Sequence, residues 1–190
     1  MDNATRYTCE KCGKQHEEWP ALAYFSPAYY HELPAHEKAN AELNSDFCTI
    51  HHPNQTDRFI RASLTLKVID HCEDLDYGLW VSLSEKSFTD YTANYENTNY
   101  EASYFGWISN ILPDYPDTRK VPTTVYTQTG GKRPLIVPHE GFDHPFVKDY
   151  YNGIAKAEAE RRIAEMIKIT GADSVPSRAK RPWYRKIFGA

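Results

Sequence analysis

With 190 residues, 41% of them apolar and 25% charged, the chain is long enough to bury one sizeable hydrophobic core. Its net charge of −4 argues against a broad nucleic-acid footprint, and no run approaches the eighteen or so apolar residues that span a bilayer. Met1–Arg6 begins no apolar leader, so a soluble, cytoplasmic protein with reduced cysteines is expected.

The first chemical signal is Cys9-Glu-Lys-Cys12-Gly13-Lys-Gln-His16, two thiols three residues apart beside an imidazole. That spacing lets both sulfurs face one tetrahedral zinc ion, with Cys48 as third ligand and His16 or His51 as fourth. A structural zinc that ties the N-terminal segment to the strand near Cys48 is the reading adopted. The bland alternative is a pair of buried thiols with His16 in a turn. A redox dithiol fits poorly, because no helix with an apolar stripe starts at Gly13.

Ser26-Pro27 predicts a short helix start that Pro34 ends, and the Ala- and Glu-rich stretch Ala35–Leu43 predicts a helix. Asn44-Ser45-Asp46 is turn chemistry before Phe47-Cys48-Thr49-Ile50. Phe59–Ile69 alternates apolar and polar residues strictly and predicts a strand, as does Gly78–Leu83, the two forming an antiparallel pair. Ser84 predicts the cap of a helix with Phe88, Tyr91 and Tyr95 on one face. Strands at Val121–Gln128 and Arg133–Val137 follow, joined by Thr129-Gly130-Gly131-Lys132. Pro122 and Pro134 restrict them to edges or strand starts. Ile154–Thr170 predicts a final helix with Glu158 four residues before Arg162 and an apolar stripe of Ile163, Met166 and Ile167.

These elements predict a single α+β domain over residues 1–171, an antiparallel sheet with helices packed on one side and a zinc-knuckle-like N-terminal segment. Residues 172–190 form a tail in which Arg178, Lys180, Arg181, Arg185 and Lys186 stand against Asp173 alone; removing its +4 leaves the body at −8.

Several strings occur in a familiar order: Cys9-x-x-Cys12-Gly13-x-x-His16, Asp46-Phe47-Cys48-x-Ile50, Phe59-Ile60-Arg61, Gly78–Ser84, Tyr104-Phe105-Gly106-Trp107, Leu112-Pro113-x-Tyr115-Pro116-x-Thr118, Arg133-Pro134, His144-Pro145 and Gly153-Ile154. Over about Cys9–Ile154 the chain resembles the bacterial domain-of-unknown-function family 2199. The resemblance implies no assigned activity. The insertion His51–Thr56, the extension past Gly171 and Cys72 depart from the family pattern.

No His-Glu-x-x-His, Gly-x-Ser-x-Gly or phosphate-cradling glycine loop is present, so catalytic residues stay unassigned. His144 beside Asp143 is either a general base or, more commonly, a helix start. Trp80, Trp107, Tyr104, Tyr115 and Arg61, with Arg133 reaching toward them, either line an aromatic pocket or pack a twisted sheet. The expected function is a non-enzymatic binding or regulatory domain with structural zinc, its acidic tyrosine-rich surface suited to neutralising a basic protein partner. The basic aromatic tail is composed for a partner groove or weak membrane-surface contact. The competing expectation is a zinc-dependent hydrolase with an open metal position.

Overall fold

The computed structural model describes residues 6–8, 13 and 15–170, which contain both helices and strands. The chain divides into two compact units. One holds the described parts of Met1–Ala23, Thr65–Tyr77 and Asp149–Ala190; the other holds Tyr24–Leu64 and Gly78–Lys148.

The second unit is built on long strands whose side chains alternate between two faces. In β6 (Thr56–Leu66) Ile60, Ala62 and Leu64 are fully buried while Arg61 and Ser63 are only partly covered. This is the period-two pattern that the sequence shows, and the buried residues all point into one interior. β7 (Leu75–Leu83), β8 (Ser103–Ile108), β9 (Pro122–Tyr126) and β10 (Leu135–Pro138) follow as a meander, neighbours pairing in the order β7, β8, β9, β10. β10 then pairs with β6, parallel, at Leu135 and Ser63, and β6 pairs with β7. Five strands therefore close into a barrel. The expected one-sided antiparallel sheet is corrected accordingly: in a five-strand meander the first and last strands run the same way, so the closing pair has to be parallel.

Barrel closure explains one glycine. Gly106 lies opposite Leu83 and Thr123, and a Cβ there would collide with Val81 Cγ1 and sit 2.7 Å from the Ser82 carbonyl oxygen. Neighbouring strands approach too closely for any side chain at that point.

β5 (Phe47–His51) pairs antiparallel with the start of β6, and β4 (Ala41–Leu43) pairs with β5. Asn44 Oδ1 accepts the Asp46 and Phe47 backbone N–H groups, which fixes the expected turn between them. The helix expected over Ala35–Leu43 does not form. Turns from Pro34, a single 3₁₀ turn at Lys38–Asn40 and then β4 replace it, because ladder bonds to β5 outweigh the helix preference of Ala and Glu, which amounts to only tenths of a kcal/mol per residue.

Cys48, Ile50, Phe59 and Trp80 form a second apolar cluster on the outer side of these strands. Tyr29, Tyr30 and Leu33 cover it, carried by α1 (Ala28–Glu32) and its C-terminal cap. Burying each of the larger side chains is worth roughly 2–3 kcal/mol. α2 (Glu85–Ala93) starts where expected, with Ser84 Oγ accepting the Ser87 N–H. Asp90 near its end accepts the hydroxyls of Tyr100 and Tyr104 at 2.7 and 2.8 Å, tying the helix to β8.

In the first unit, β1 (Arg6–Thr8) and β2 (Gln15–Glu17) form an antiparallel ribbon. Trp19 stacks on His71 at 4.4 Å, and Asp74 Oδ1 accepts the Val68 N–H inside the turn that links β6 to β7. β3 (Leu22–Ala23) is buried. α3 (Pro145–Asn152) ends at Gly153, whose φ of +79° and tight contact with Ile69 and the Lys67 carbonyl both require glycine. Ile154 then bridges to Val68, and α4 (Lys156–Thr170) follows. Arg162 on α4 is buried and donates to Glu158 at 2.7 Å, to Asp149 at 3.2 Å and to the Tyr77 hydroxyl at 3.4 Å. The expected Glu158–Arg162 pair is thus a core element that orients α4.

Candidate ligand-binding cleft

Phe105 and Trp107 occupy alternate positions of β8, and alternation sends both rings to the outside of the barrel. They remain 52% and 42% exposed although Tyr104, Gly106 and Ile108 between and beside them are buried. The two rings meet edge to face at 5.1 Å, and His139 packs on Phe105 at 5.6 Å while its Nε2 meets Thr124 Oγ1 at 3.1 Å. Two large aromatic rings held side by side in water are an unsatisfied apolar surface on the outside of the barrel.

These rings form one wall of a cleft of about 720 Å³ whose lining also includes Tyr29, Phe59, Arg58, Lys120 and Ser84. That volume lies within the usual range for small-molecule sites. Its apolar floor continues from the outer cluster, since Tyr29 stacks on Phe59 at 5.7 Å. The polar rim comes from three places. Arg58 on β6 donates to the Thr56 carbonyl at 2.8 Å and to Glu85 at 3.0 Å, while Ser84 and Ser87 present the first turn of α2. The 3₁₀ turn Thr118–Lys120 supplies Arg119 and Lys120.

The cations differ in what holds them. Arg119 gives Nε and Nη2 to Asp117 and Nη1 to Glu32, and its guanidinium lies 5.7 Å from the Tyr29 ring centre. Its hydrogen bonds, and the backbone bond from the same residue, hold the Asp117 carboxyl down to about 2. Arg119 is therefore a fixed wall. The Tyr29 phenol beside it is pushed up, chiefly by burial. Among the described residues the ion-pair partner of Arg58 is Glu85, and that side chain is 76% exposed. Lys120 is exposed, with no ion pair among the described residues.

The residues singled out in the sequence lie elsewhere for the most part. Cys9 and Cys12 fall outside the described residues, as does the tail beyond Thr170. The backbone of His16 lies in β2 opposite Tyr7. Cys48 is fully buried in the outer apolar cluster, where burial pushes its thiol up to about 12, so it is protonated at neutral pH. His51 is exposed at the end of β5, its Nδ1 3.2 Å from Thr56 Oγ1. No group of three His, Cys, Asp or Glu side chains among the described residues converges on a metal position. No helix among them is long and apolar enough to cross a membrane.

His144 caps α3: its Nδ1 accepts the Phe146 N–H at 3.1 Å, and the ring is buried beside Phe142 and Tyr115. Of the five residues read as a possible aromatic pocket, only Trp107 lines the cleft. Trp80 is core, its indole N–H donating to the Tyr24 carbonyl at 3.0 Å, and Tyr104 faces the barrel interior. Tyr115 packs on Phe146 at 5.3 Å. Arg133 reaches Asp46 instead, at 2.7 Å.

Sequence reasoning missed Phe105, Arg58 and Lys120. The signal for Phe105 was present, because Tyr104-Phe105-Gly106-Trp107-Ile108 alternates like a strand with a glycine at an inward position. Lys120 carries no such signal; only tertiary pairing of β8 with β9 brings its turn next to Trp107.

The family described as "Uncharacterized protein conserved in bacteria (DUF2199)" matches residues 8–154, and the chain belongs to it. No curated protein and no solved structure matches.

Proposed function

We propose that this member of the DUF2199 family is a binding domain that engages its ligand through the cleft beside β8. The observation that carries this reading is the pair Phe105 and Trp107, exposed side by side at the mouth of a cleft with an apolar floor and a polar rim. Rings that contribute little to the barrel interior yet stand over a cavity are suited to cover a flat apolar group. Non-covalent binding fits better than catalysis: the buried Cys48 is held as a thiol, and His144 spends its Nδ1 lone pair on a helix cap. Of the expected zinc ligands Cys9, Cys12, Cys48 and His16, Cys48 is packed in the outer apolar cluster; a structural zinc ion at Cys9, Cys12 and His16 of a cytoplasmic protein stays in this proposal, and metal analysis of protein purified without added metal checks it.

Titration with uncharged indole, followed by amide NMR, tests the site. Shifts are expected to concentrate at Ser82, Gly106 and Trp107 and to vanish in the Phe105→Ala/Trp107→Ala variant, whose melting temperature should change by only a few degrees because both rings are half in water. Shifts centred away from β8, or unchanged in the double variant, would discard the reading.

A further inference from the structure

We infer that the cleft selects a compact ligand in which a flat aromatic ring is joined to one anionic group. This rests on the binding reading above and deepens it. The lining carries Arg58, Arg119 and Lys120 against Asp57 alone, whereas residues 1–171 as a whole carry −8. Arg119 is neutralised by Asp117 and Glu32 and Arg58 leans on the exposed Glu85, so the positive charge open to a ligand is a small spot at Lys120 and Arg58, and such a spot in an acidic chain discriminates by ligand size. One anion can sit among the cations, but a polyanion would carry further phosphates out over acidic surface and meet repulsion.

The positions of the charges divide the work. Phe105 and Trp107 supply the faces and edges against which a planar ring packs. Arg119 is saturated by Asp117 and Glu32 and serves to hold Tyr29. Asp57 is itself engaged, its carboxylate within 3.1 Å of His52 Nε2 and of Gln55 Nε2. The ligand's anionic group therefore falls to Lys120 and to Arg58. Arg58 is held in the cleft by the Thr56 carbonyl, and its exposed partner Glu85 is the carboxylate that a ligand anion replaces. Glu85 is in that sense a built-in competitor.

This assignment makes a prediction of unusual sign, since removing an acidic residue has to tighten binding of an acid. The probes are adenosine 5′-monophosphate, indole-3-acetate, uncharged adenosine and a twelve-nucleotide oligo(dA), titrated into the full chain. The readout is the Trp107 indole N–H resonance, with the buried Trp80 indole as an internal control. AMP or indole-3-acetate should bind at least about fivefold more tightly than adenosine or indole, as expected for a charge-assisted hydrogen bond. Whichever anion binds better identifies phosphate or carboxylate as the natural group. Glu85→Gln should strengthen anion binding about two- to fivefold, while Arg58→Gln and Lys120→Ala weaken it by about fivefold or more and leave adenosine unchanged.

Adenosine binding as well as AMP, or Glu85→Gln leaving AMP affinity unchanged, overturns the inference but not the binding reading. Oligo(dA) binding far more tightly than AMP, with steep salt dependence, overturns it in favour of a single-stranded polymer. Absence of any shift at Trp107 with all four probes and with indole removes both.

Discussion

Asp46 and Arg133, 87 positions apart in the chain, meet through Oδ1 and Nε at 2.7 Å at the point where β6 changes partners along one edge. The Arg61 N–H donates to the Asp46 carbonyl, and two residues later the Ser63 N–H donates to the Pro134 carbonyl. β5 thus stops and β10 begins between Arg61 and Ser63. The ion pair crosses that seam, with Arg133 also donating to the Ser45 carbonyl at 3.3 Å. A break in a ladder leaves backbone and strand ends to be held by side chains, and here a charged fork bridges them.

Cutting one side of this pair should therefore destabilise the barrel. Asp46→Asn leaves a nearly buried guanidinium short of its counter-charge, and a loss of about 2–3 kcal/mol is expected in urea unfolding. The Asp46→Asn/Arg133→Met combination should lose less than the two single changes added together. Additive losses would show that the seam is held by other contacts.

Gly106→Ala tests barrel closure. Its Cβ would meet Val81 Cγ1 and the Ser82 carbonyl well inside contact distance, so a loss of about 2–3 kcal/mol is expected, against less than about 1 kcal/mol for alanine at Gly141, where a Cβ meets nothing within 4 Å. Circular dichroism melts of the two variants make the comparison, and equal melting temperatures would contradict a tightly closed strand pair.

His144 is assigned to capping and not to proton transfer. His144→Ala should cost about 1–2 kcal/mol by freeing the Phe146 N–H, and His144→Asn should recover much of it, since an amide oxygen can accept the same hydrogen. Failure of asparagine to do better than alanine would mean that packing against Phe142 and Tyr115, not the cap, is what the ring supplies.

Acid should unfold the protein through its paired carboxylates. Hydrogen bonds from Arg161 and Arg162, opposed by partial burial, hold Glu158 down to about 2. At Asp46 burial works upward but is outweighed by Arg133, Ser45 and Arg61, so its carboxyl also lies below the ordinary range. Both are depressed in the folded state, so unfolding takes up protons. Their stabilisation is complete above the unfolded value near 4 and is lost as pH falls from about 5 toward 2. Urea midpoints measured across that interval should fall, and Glu158→Gln should flatten the fall. A slope unchanged by that substitution would place the acid sensitivity elsewhere.

Much of the local structure was readable from residues a few positions apart. The Ser84 cap, the turn at Asn44-Ser45-Asp46 and the glycine hairpin before Arg133 all stand where their chemistry points. Of the alternation expected over Phe59–Ile69, the part up to Leu66 became a strand, with Ile60, Ala62 and Leu64 inward and Phe59 on the outer face. Pro122 opens β9, and Pro134 immediately precedes β10, so neither removes an interior ladder donor. Ala41–Leu43 was misread because helix propensity is a weak local preference that a waiting strand edge overrides. Phe105 was overlooked as a surface ring because alternation alone does not say which face of a strand will be covered.

What the amino-acid order determined by itself is the strands β6, β7, β9 and β10, the Ser84 cap and the turns at Asn44 and Gly130, together with an uneven charge in which a basic tail follows an acidic body. These depend on hydrogen bonds and side-chain periods within a few residues. The tertiary structure decided that the meander closes through Leu135 and Ser63, that Asp46 and Arg133 seal its seam, and that Phe105, Trp107, Arg58 and Lys120 share one cleft. Those relations join residues tens of positions apart, and a backbone ladder pairs N–H with C=O whatever the side chains are, so periodicity along the chain carries no record of which strands become neighbours.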